Sequence, residues 1–327
     1  MSLDLSEPAA PRRRRLAFSL GGNLYLIVTL VALIAIFSVL SPYFLQLNNM
    51  MNIARSVSIT GITAAGETMV LVSGGIDLSV GSVTAASGMV VSSLIMNADW
   101  PVWPARLAAI GFGLLIGLVN GLIVTKAHIN PLITTLATGF IIRGGGYVAS
   151  GGRTLGVIRE GYAVLGRGRL LDVVPYPVIV LAVVYLLIYF VMRYMKLGHY
   201  TYAIGGNSDA CRVSGIDVDR WRLVIYALCG TVAGVSGVLL SSLTGSGIPD
   251  VAIGSEMIVI AGAILGGISL SGGRGRVEGT LLGVFILGAL TNGLIMLNVR
   301  SYWQTIAQGG VLLMAVLIDA WRTGGYR

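Results

Sequence analysis

Long apolar runs separated by short polar segments dominate the chain from residue 24 onward. A helix needs about 20 mostly apolar residues to cross the hydrocarbon core of a bilayer. The segments that approach this length are 24–41, 53–73, 79–97, 104–124, 131–149, 175–195, 222–243, 254–270, 277–297 and 302–320. The second, third and eighth of them are rich in Gly, Ser and Thr and could be broken or tilted. The pattern predicts an all-α fold, a polytopic membrane helical bundle with about ten transmembrane helices.

The composition makes lipid the expected solvent for most of this chain. Hydrophobic residues make up 55% of the sequence and charged residues only 11%, whereas soluble domains are about one quarter charged. The 46 glycines suit a membrane bundle, where small residues let helices approach closely. The two cysteines, Cys211 and Cys229, indicate neither a disulfide framework nor a metal site.

The basic residues lie between the apolar runs, which excludes nucleic acid as the expected partner and indicates an orientation. With Arg12–Arg15 in the cytoplasm, 14 of the 22 basic residues fall on the cytoplasmic side, as the positive-inside rule favours. Five of the remaining eight lie in the loop 143–169 and contradict the rule, although a long loop can be translocated against its charge. This orientation predicts a cytoplasmic basic tail over 1–22, a single transmembrane domain over 23–321 and a cytoplasmic tail over 322–327. The first apolar run lacks a convincing cleavage site and is expected to be a retained span.

Two pairs of segments suggest a partial internal repeat. Residues 74–81 (GGIDLSVG) match residues 266–273 (GGISLSGG) at six of eight positions, with an offset of 192 residues. Residues 120–123 (NGLI) recur at 292–295, with an offset of 172 residues. The difference of 20 residues corresponds to about one membrane span, so one half would carry an extra helix. Internal repeats are common in transporters, although chance could explain the shorter match.

The sequence gives no sign of an enzyme. The usual ATP-binding loop, G-x-x-x-x-G-K-S/T, needs a lysine after glycine, and neither Lys126 nor Lys196 follows one. His128 and His199 stand singly, and no nucleophile is paired with a base. We therefore expect no catalytic site, no metal and no cofactor.

A few acidic residues within or beside the predicted spans are candidates for a translocation pathway. Glu67 is the deepest and, because a buried charge is costly, should be neutral, paired or facing a water-filled path. Asp77 with Ser79 also fits a helix N-cap, and Glu256 also suits the first turn of a helix. Each therefore has a structural interpretation beside the functional one.

The polar segment 193–222 contains its own helix signals. Asn207 or Ser208 can cap a helix start, Asp209 suits the first turn and Gly215 can end the helix. The pattern predicts a helix of about two turns outside the bilayer, which is too short to be stable alone. It must pack on the membrane domain or dock into another protein, the alternative being an ordinary structured loop.

Three segments carry a resemblance to a known family. They are residues 66–82 (GETMVLVSGGIDLSVGS), 202–207 (YAIGGN) and 265–276. The chain resembles, from about residue 24 to 321, the permease subunits of bacterial ribose-type ABC sugar importers. The resemblance implies a monosaccharide pathway in the cell (inner) membrane, surrounded by lipid. It also implies three kinds of partner: cytoplasmic ATPase subunits, a periplasmic or tethered sugar-binding protein and a second permease copy.

The resemblance also implies residue roles. A short cytoplasmic helix of such permeases couples to the ATPase, and the matching residues here are Gly205, Gly206, Asn207, Asp209, Ala210 and Gly215. Candidate pathway residues are Glu67, Asp77, Asn120, Glu256 and Asn292, and the sugar hydroxyls could also contact Thr134, Thr135 and Gln304. On charge alone, we hypothesise that the arginine-rich loop 143–169, predicted to be external, faces the binding protein through Arg153, Arg159 and Arg167.

Two alternatives to a sugar permease remain open from the sequence. The same machine could carry another small solute, such as a branched-chain amino acid. A carrier or channel acting alone is the other, although the few intramembrane charges argue against ion coupling.

Overall fold

The computed structural model describes residues 24–323, and almost all of them lie in helices or in short connections between helices. The predicted basic tail 1–22 and residues 324–327 of the predicted C-terminal tail lie outside the described residues. The helices are α1 (Leu24–Leu40), α2 (Leu47–Val72), α3 (Val80–Asn97), α4 (Val102–Lys126), α5 (Pro131–Ser150), α6 (Val164–Arg167), α7 (Tyr176–Tyr194), α8 (Lys196–Gly206), α9 (Ser208–Val213), α10 (Val218–Thr244), α11 (Ser255–Leu265), α12 (Val277–Met296) and α13 (Ser301–Thr323). The strands are β1 (Leu155–Gly156), β2 (Arg169–Leu170), β3 (Val174–Pro175) and β4 (Ser246–Gly247), which pair antiparallel as β1 with β4 and β2 with β3.

Six of the described helices are long and apolar enough to cross a membrane by length and composition: α3, α4, α5, α7, α10 and α12. Two more apolar helices, α1 and α11, are shorter, at 17 and 11 residues. The all-α membrane bundle predicted from the sequence is thus confirmed.

Local sequence signals explain where several helices begin and end. The Asn130 side chain accepts a hydrogen bond from the Leu132 N–H at the start of α5, and Gly151 ends that helix with a φ of 60°. Asp217 caps α10 by accepting from the Arg220 N–H, and Gly245 ends α10 with a φ of 77°. Such left-handed positions favour glycine because it has no Cβ to clash with the backbone.

The core forms around α10, whose glycines let it lie directly against α4. A Cβ on Gly113 or Gly117 of α4 would overlap the carbonyls of Gly230 and Tyr226, and a Cβ on Gly230 would overlap the Gly113 carbonyl. Small residues four apart on both helices therefore allow backbone-to-backbone packing, the usual mode of close association between membrane helices. Around this contact, apolar side chains of α2, α3 and α7 complete the main hydrophobic cluster.

The predicted spans match the helices to within about four residues at each end, with two exceptions. The predicted span 53–73 begins too late, because α2 starts at Leu47. The predicted span 254–270 is too long, because α11 ends at Leu265 and is followed by a loop. Gly267 has a φ of 91° there, and the Ile268 N–H closes the helix end by donating to the Ala263 carbonyl. The second and third spans, which could have been broken, are continuous as α2 and α3.

The two repeated segments occupy similar positions in the fold. Residues 74–81 follow the end of α2 and residues 266–273 follow the end of α11. The shorter match falls on α4 and α12, which are the second and the first helix after their respective loops. The first repeat therefore has one more helix between its loop and its NGLI segment than the second repeat has. This extra helix, α3, accounts for the difference of 20 residues between the two offsets.

Candidate translocation site and docking helix

Three of the predicted pathway residues form one buried hydrogen-bond network at the break between α2 and α3. The Glu67 Oε1 atom accepts from the Asp77 N–H at 3.0 Å. The Asp77 Oδ1 atom accepts from the Ser79 N–H at 2.8 Å and from the Ser79 hydroxyl at 2.6 Å. The Asn120 amide of α4 donates to the Ser79 Oγ at 2.9 Å. All four side chains are buried, so the network fixes a turn rather than facing a cavity.

The loop between α2 and α3 is also fastened to α5 and α10. The Leu78 N–H donates to the Thr135 Oγ1 of α5 at 3.0 Å, and the Tyr226 hydroxyl of α10 donates to the Ile76 carbonyl at 3.3 Å. Ser79 is the N-cap residue of α3 and makes no capping bond with its own side chain. Asp77 is therefore not the N-cap residue of α3. Its carboxylate accepts hydrogen bonds from Ser79 and so stabilises the turn that precedes the helix.

The other predicted pathway residues lie apart from this network. Asn292 of α12 forms a reciprocal amide pair with Asn49 of α2, with both N–O distances at 3.0 Å. Glu256 packs against Gly81, and its Oε2 atom is buried without a hydrogen-bond partner among the described residues. The Gln304 amide donates to the Val299 carbonyl. The Thr134 hydroxyl oxygen, like the Glu256 Oε2 atom, is buried without a hydrogen-bond partner among the described residues.

Two cavities open along the first half of α2. One, of about 420 Å³, lies between α2, α3, α10 and the segment before α11, and we call it the α2–α10 cavity. The second, of about 320 Å³, lies between α2, α12 and α13, and we call it the α2–α12 cavity. Asn52, Ser56 and Thr60 line both cavities. These volumes are in the range of small-molecule sites, roughly 300–1,000 Å³.

The side chains of Asn52, Ser56 and Thr60 make no hydrogen bond to other residues within the described part of the chain. Most neighbouring hydroxyl groups bond to the carbonyl four residues earlier in their own helix, as Ser58 and Thr68 do at 2.6 and 2.7 Å. Arg55, on the same helix and lining the α2–α10 cavity, has a buried Nε atom without a partner among the described residues. Unpaired polar groups therefore lie on one face of α2, beside the cavity.

Sequence reasoning missed this polar face of α2. Asn52, Ser56 and Thr60 are spaced four residues apart, which places them on one side of a helix. The candidates chosen from the sequence were acidic residues and a few amides and hydroxyls elsewhere, and the predicted span began one residue after Asn52. The spacing of polar positions within an apolar run was the available signal.

The short helix predicted within the polar segment 193–222 is present as α9. The Asn207 side chain caps it by accepting from the Ala210 N–H at 2.9 Å, and Gly215 follows its end with a φ of 81°. Cys211 is buried against Ile204 and Val218. The opposite side presents Asp209, Ala210, Arg212 and Val213 to solvent, with Val213 91% exposed.

At the other end of α10, a loop between α5 and α7 is clamped to the bundle through Tyr162. The buried Arg106 guanidinium donates to the carbonyls of Gly161 and Tyr162 at 3.0 and 2.8 Å, and Ser242 donates to the Tyr162 carbonyl at 2.6 Å. Burial raises the pKa of Tyr162, so its hydroxyl stays protonated beside the Ser92 Oγ at 2.9 Å.

This clamp changes the interpretation of the arginines that were predicted to be external. Arg167 donates to the Leu243 and Thr244 carbonyls at the end of α10, and Arg159 forms an ion pair with Asp99. Removing either would alter the loop itself. Arg153, exposed, makes no side-chain hydrogen bond or ion pair within the described residues and is the better probe of a docking role, which stays a prediction.

Apolar helices long enough to cross a membrane, packed around cavities with polar linings, are the architecture of a membrane transport permease. A family model described as the permease component of a branched-chain amino acid transport system matches residues 49–316. The chain belongs to this family of permease components.

Individual relatives confirm the resemblance to ribose-type ABC importer permeases. The ribose import permease protein of Escherichia coli (strain K12) is 40% identical over 297 residues, which cover 90% of this chain and 92% of that protein. The ribose import permease protein of Bacillus subtilis (strain 168) is 40% identical over 292 residues, covering 89% and 90%. The L-arabinose transport system permease protein of Escherichia coli (strain K12) is 34% identical over 327 residues, covering 98% and 97%. The chain is thus a multi-pass protein of the bacterial inner membrane that depends on a separate ATPase subunit.

Proposed function

We propose that this chain forms the translocation pathway for a monosaccharide, with the polar face of α2 as the part of the pathway that contacts the sugar. The observation that carries this proposal is the set of unpaired polar side chains at Asn52, Ser56 and Thr60, which line both cavities. The names of the relatives, which carry ribose and L-arabinose, support a sugar as the solute.

The chemistry of the α2–α10 cavity suits a neutral polyhydroxylated solute. Its polar lining consists of hydroxyl and amide groups together with one arginine: Asn52, Arg55, Ser56, Thr60, Thr63, Thr84, Ser236 and Ser255. Hydroxyls and amides can both donate to and accept from sugar hydroxyls. Weak, distributed contacts of this kind allow a solute to enter and leave.

The family description raises an amino acid as a second candidate solute. An amino acid zwitterion needs an anionic partner for its ammonium group as well as a cation for its carboxylate. Arg55 could meet the carboxylate, but no aspartate or glutamate is among the residues that line either cavity. The lining therefore favours a sugar.

A second copy of the chain is the proposed cover for the polar face of α2. Asn52 and Ser56 are exposed in the single chain, and an amide or an arginine facing hydrocarbon is strongly unfavourable. Two copies placed with their α2 helices facing would enclose a shared polar path and shield it from lipid. Two identical surfaces meeting about a two-fold axis is the commonest arrangement in homo-oligomers.

The exposed side of α9 is the proposed docking site for the ATPase, with Asn207 as its cap and Asp209, Ala210 and Val213 as contact residues. In this arrangement α9 and both termini lie in the cytoplasm, and the loop clamped by Tyr162 faces the binding protein. Ten crossings follow, made by α1 to α5, α7 and α10 to α13. The short α11 would cross together with the loop that follows it.

A valine substitution at Thr60 tests the proposed pathway. Thr60→Val keeps the shape of the side chain and removes the hydroxyl that faces both cavities. In proteoliposomes that contain the ATPase, the binding protein and internal ATP, we expect sugar uptake to fall about fivefold, because one hydrogen bond to the sugar is worth about 1 kcal/mol. Thr231→Val is the matched control, because the Thr231 hydroxyl bonds to the Ala227 carbonyl of its own helix. Equal uptake by both variants would contradict the proposed pathway.

A further inference from the structure

The two repeated glycine loops, one after α2 and one after α11, meet each other backbone to backbone. The Gly273 N–H donates to the carbonyl of Val72, the last residue of α2, at 2.8 Å. A Cβ added to Gly272 would lie 2.8 Å from the Gly74 Cα atom, well inside van der Waals contact. The end of α2 is therefore joined to the segment that leads into α12 without an intervening side chain.

The end of α8 packs against the two backbone groups of this hydrogen bond, the Val72 carbonyl and the Gly273 N–H. A Cβ added to Gly205 would overlap the Val72 carbonyl oxygen and would lie 2.5 Å from the Gly273 nitrogen. The carbonyl oxygen of Gly205 lies beside Gly272, whose added Cβ would be 2.9 Å away from it. We call the four residues Gly74, Gly205, Gly272 and Gly273 the glycine joint.

A second contact fastens α8 to the loop after α11. The Tyr202 hydroxyl donates to the Gly275 carbonyl at 3.0 Å. Burial, together with the nearby Glu278 carboxylate, raises the pKa of Tyr202, so the phenol keeps the proton that it donates. This bond lies beside the glycine joint and can be removed without adding any atom.

The segments on either side of the joint are stiff. On one side, α9 starts directly after Asn207, whose N–H donates to the Ala203 carbonyl of α8, and Cys211 packs against Ile204. On the other side, the loop after α2 is held by the buried network of Glu67, Asp77 and Asn120. A displacement of α9 would therefore pass through the buried Cys211–Ile204 contact and the end of α8, and then through backbone contacts to the end of α2 and the segment before α12.

We infer that the glycine joint transmits the movement of the docked helix α9 to the ends of α2 and α12, and that Gly205 is the positioning residue of this transmission. The inference rests on the proposed docking of the ATPase at α9. Close-packed backbone moves as a body, whereas long side chains would absorb a displacement of an ångström by changing rotamer. Because α2 carries Asn52, Ser56 and Thr60, a shift at its end changes the cavity that these residues line.

Substitutions at the joint should separate transport from ATP hydrolysis. In proteoliposomes with the ATPase, the binding protein and internal ATP, the readout is the number of sugar molecules imported per ATP hydrolysed. For Gly205→Ala we expect this ratio to fall about fivefold or more, the lower end of typical coupling between sites, while the ATPase still co-purifies. Tyr202→Phe should lower the ratio in the same direction and by less. Gly111→Ala is the control, since a Cβ at Gly111 meets nothing within 4 Å.

The ratio distinguishes transmission from a merely structural role. A variant that only folds or assembles less well lowers the amount of complex and leaves the ratio unchanged, and that result for Gly205→Ala would overturn the inference. If Gly205→Ala does not assemble, Tyr202→Phe decides, and a wild-type ratio there overturns it. Wild-type uptake that is indifferent to ATP would instead refute the proposed function, and the inference with it.

Discussion

At the scale of single residues, Glu67 shows how a buried acid can stabilise a turn between two helices. Its carboxylate lies in the bundle interior and accepts from the Asp77 N–H, with the Cys229 thiol 3.7 Å from its second oxygen. The sequence analysis expected Glu67 to be neutral, paired or facing a water-filled path. The structure places it against a backbone donor, where it closes the turn between α2 and α3.

Glu67→Ala should be much more destabilising than Glu67→Gln. The alanine variant leaves the Asp77 N–H without an acceptor and opens a cavity, which together should lower the free energy of unfolding by about 2–4 kcal/mol. Glutamine keeps an oxygen at the same place and should lose about 1 kcal/mol or less. Thermal unfolding of the detergent-solubilised protein measures both. Equal losses would show that the hydrogen bond to Asp77 contributes little.

At the scale of helices, the sequence predicted most of the fold because lipid imposes a simple rule. Each crossing needs a long apolar run, and polar segments mark the turns, so α1, α3, α5, α7 and α12 were predicted to within about two residues. The error at α11 arose because Ile268 and Leu270 look like span residues, whereas the left-handed Gly267 had already ended the helix.

The candidate site was less predictable for a different physical reason. Capping signals are local, so α9 could be identified from Asn207 and Gly215 alone. Which polar side chains pair with each other depends on packing between distant helices. Asn292 was selected as a pathway residue, yet it forms an amide pair with Asn49 while also lining the α2–α12 cavity. Thr60, which was not selected, makes no such bond among the described residues.

Docking at α9 should depend on the exposed apolar position Val213. Val213→Asp leaves the cap of α9 intact and places a charge at the centre of the proposed contact, which should weaken binding of the ATPase by about tenfold or more. Ile129→Asp makes the same change in the exposed connection between α4 and α5 and serves as the control. The measurement is the amount of ATPase retained by the purified permease at fixed salt. Undiminished retention by the Val213 variant would exclude α9 as the main contact.

At the scale of the whole molecule, the polar face of α2 requires a cover, and a second copy should supply it. In an Asn52→Cys variant, the introduced thiol would then lie near the same thiol of the second copy. The two thiols should form a disulfide in membranes on mild oxidation. Leu186→Cys is the control, because Leu186 on α7 is an exposed apolar residue suited to lipid contact. Crosslinking at both positions, or at neither, would argue against the proposed arrangement of two copies about α2.

The proposed docking helix α9, the glycine joint and the polar face of α2 would form one path for movement from the ATPase to the cavity. The ATPase would move α9, the glycine joint would carry that movement to α2, and the polar face of α2 would change its exposure to the sugar. Each step involves a different part of the chain, so each can fail separately in the experiments described above.

Solute uptake into proteoliposomes that contain the chain tests the central claim most directly. Labelled ribose, L-arabinose and leucine would be compared with and without the ATPase, the binding protein and internal ATP. The account predicts uptake of a sugar, and not of leucine, only when all three components are present. Leucine uptake would contradict the sugar assignment, and uptake by the chain alone without ATP would contradict its role as an importer subunit.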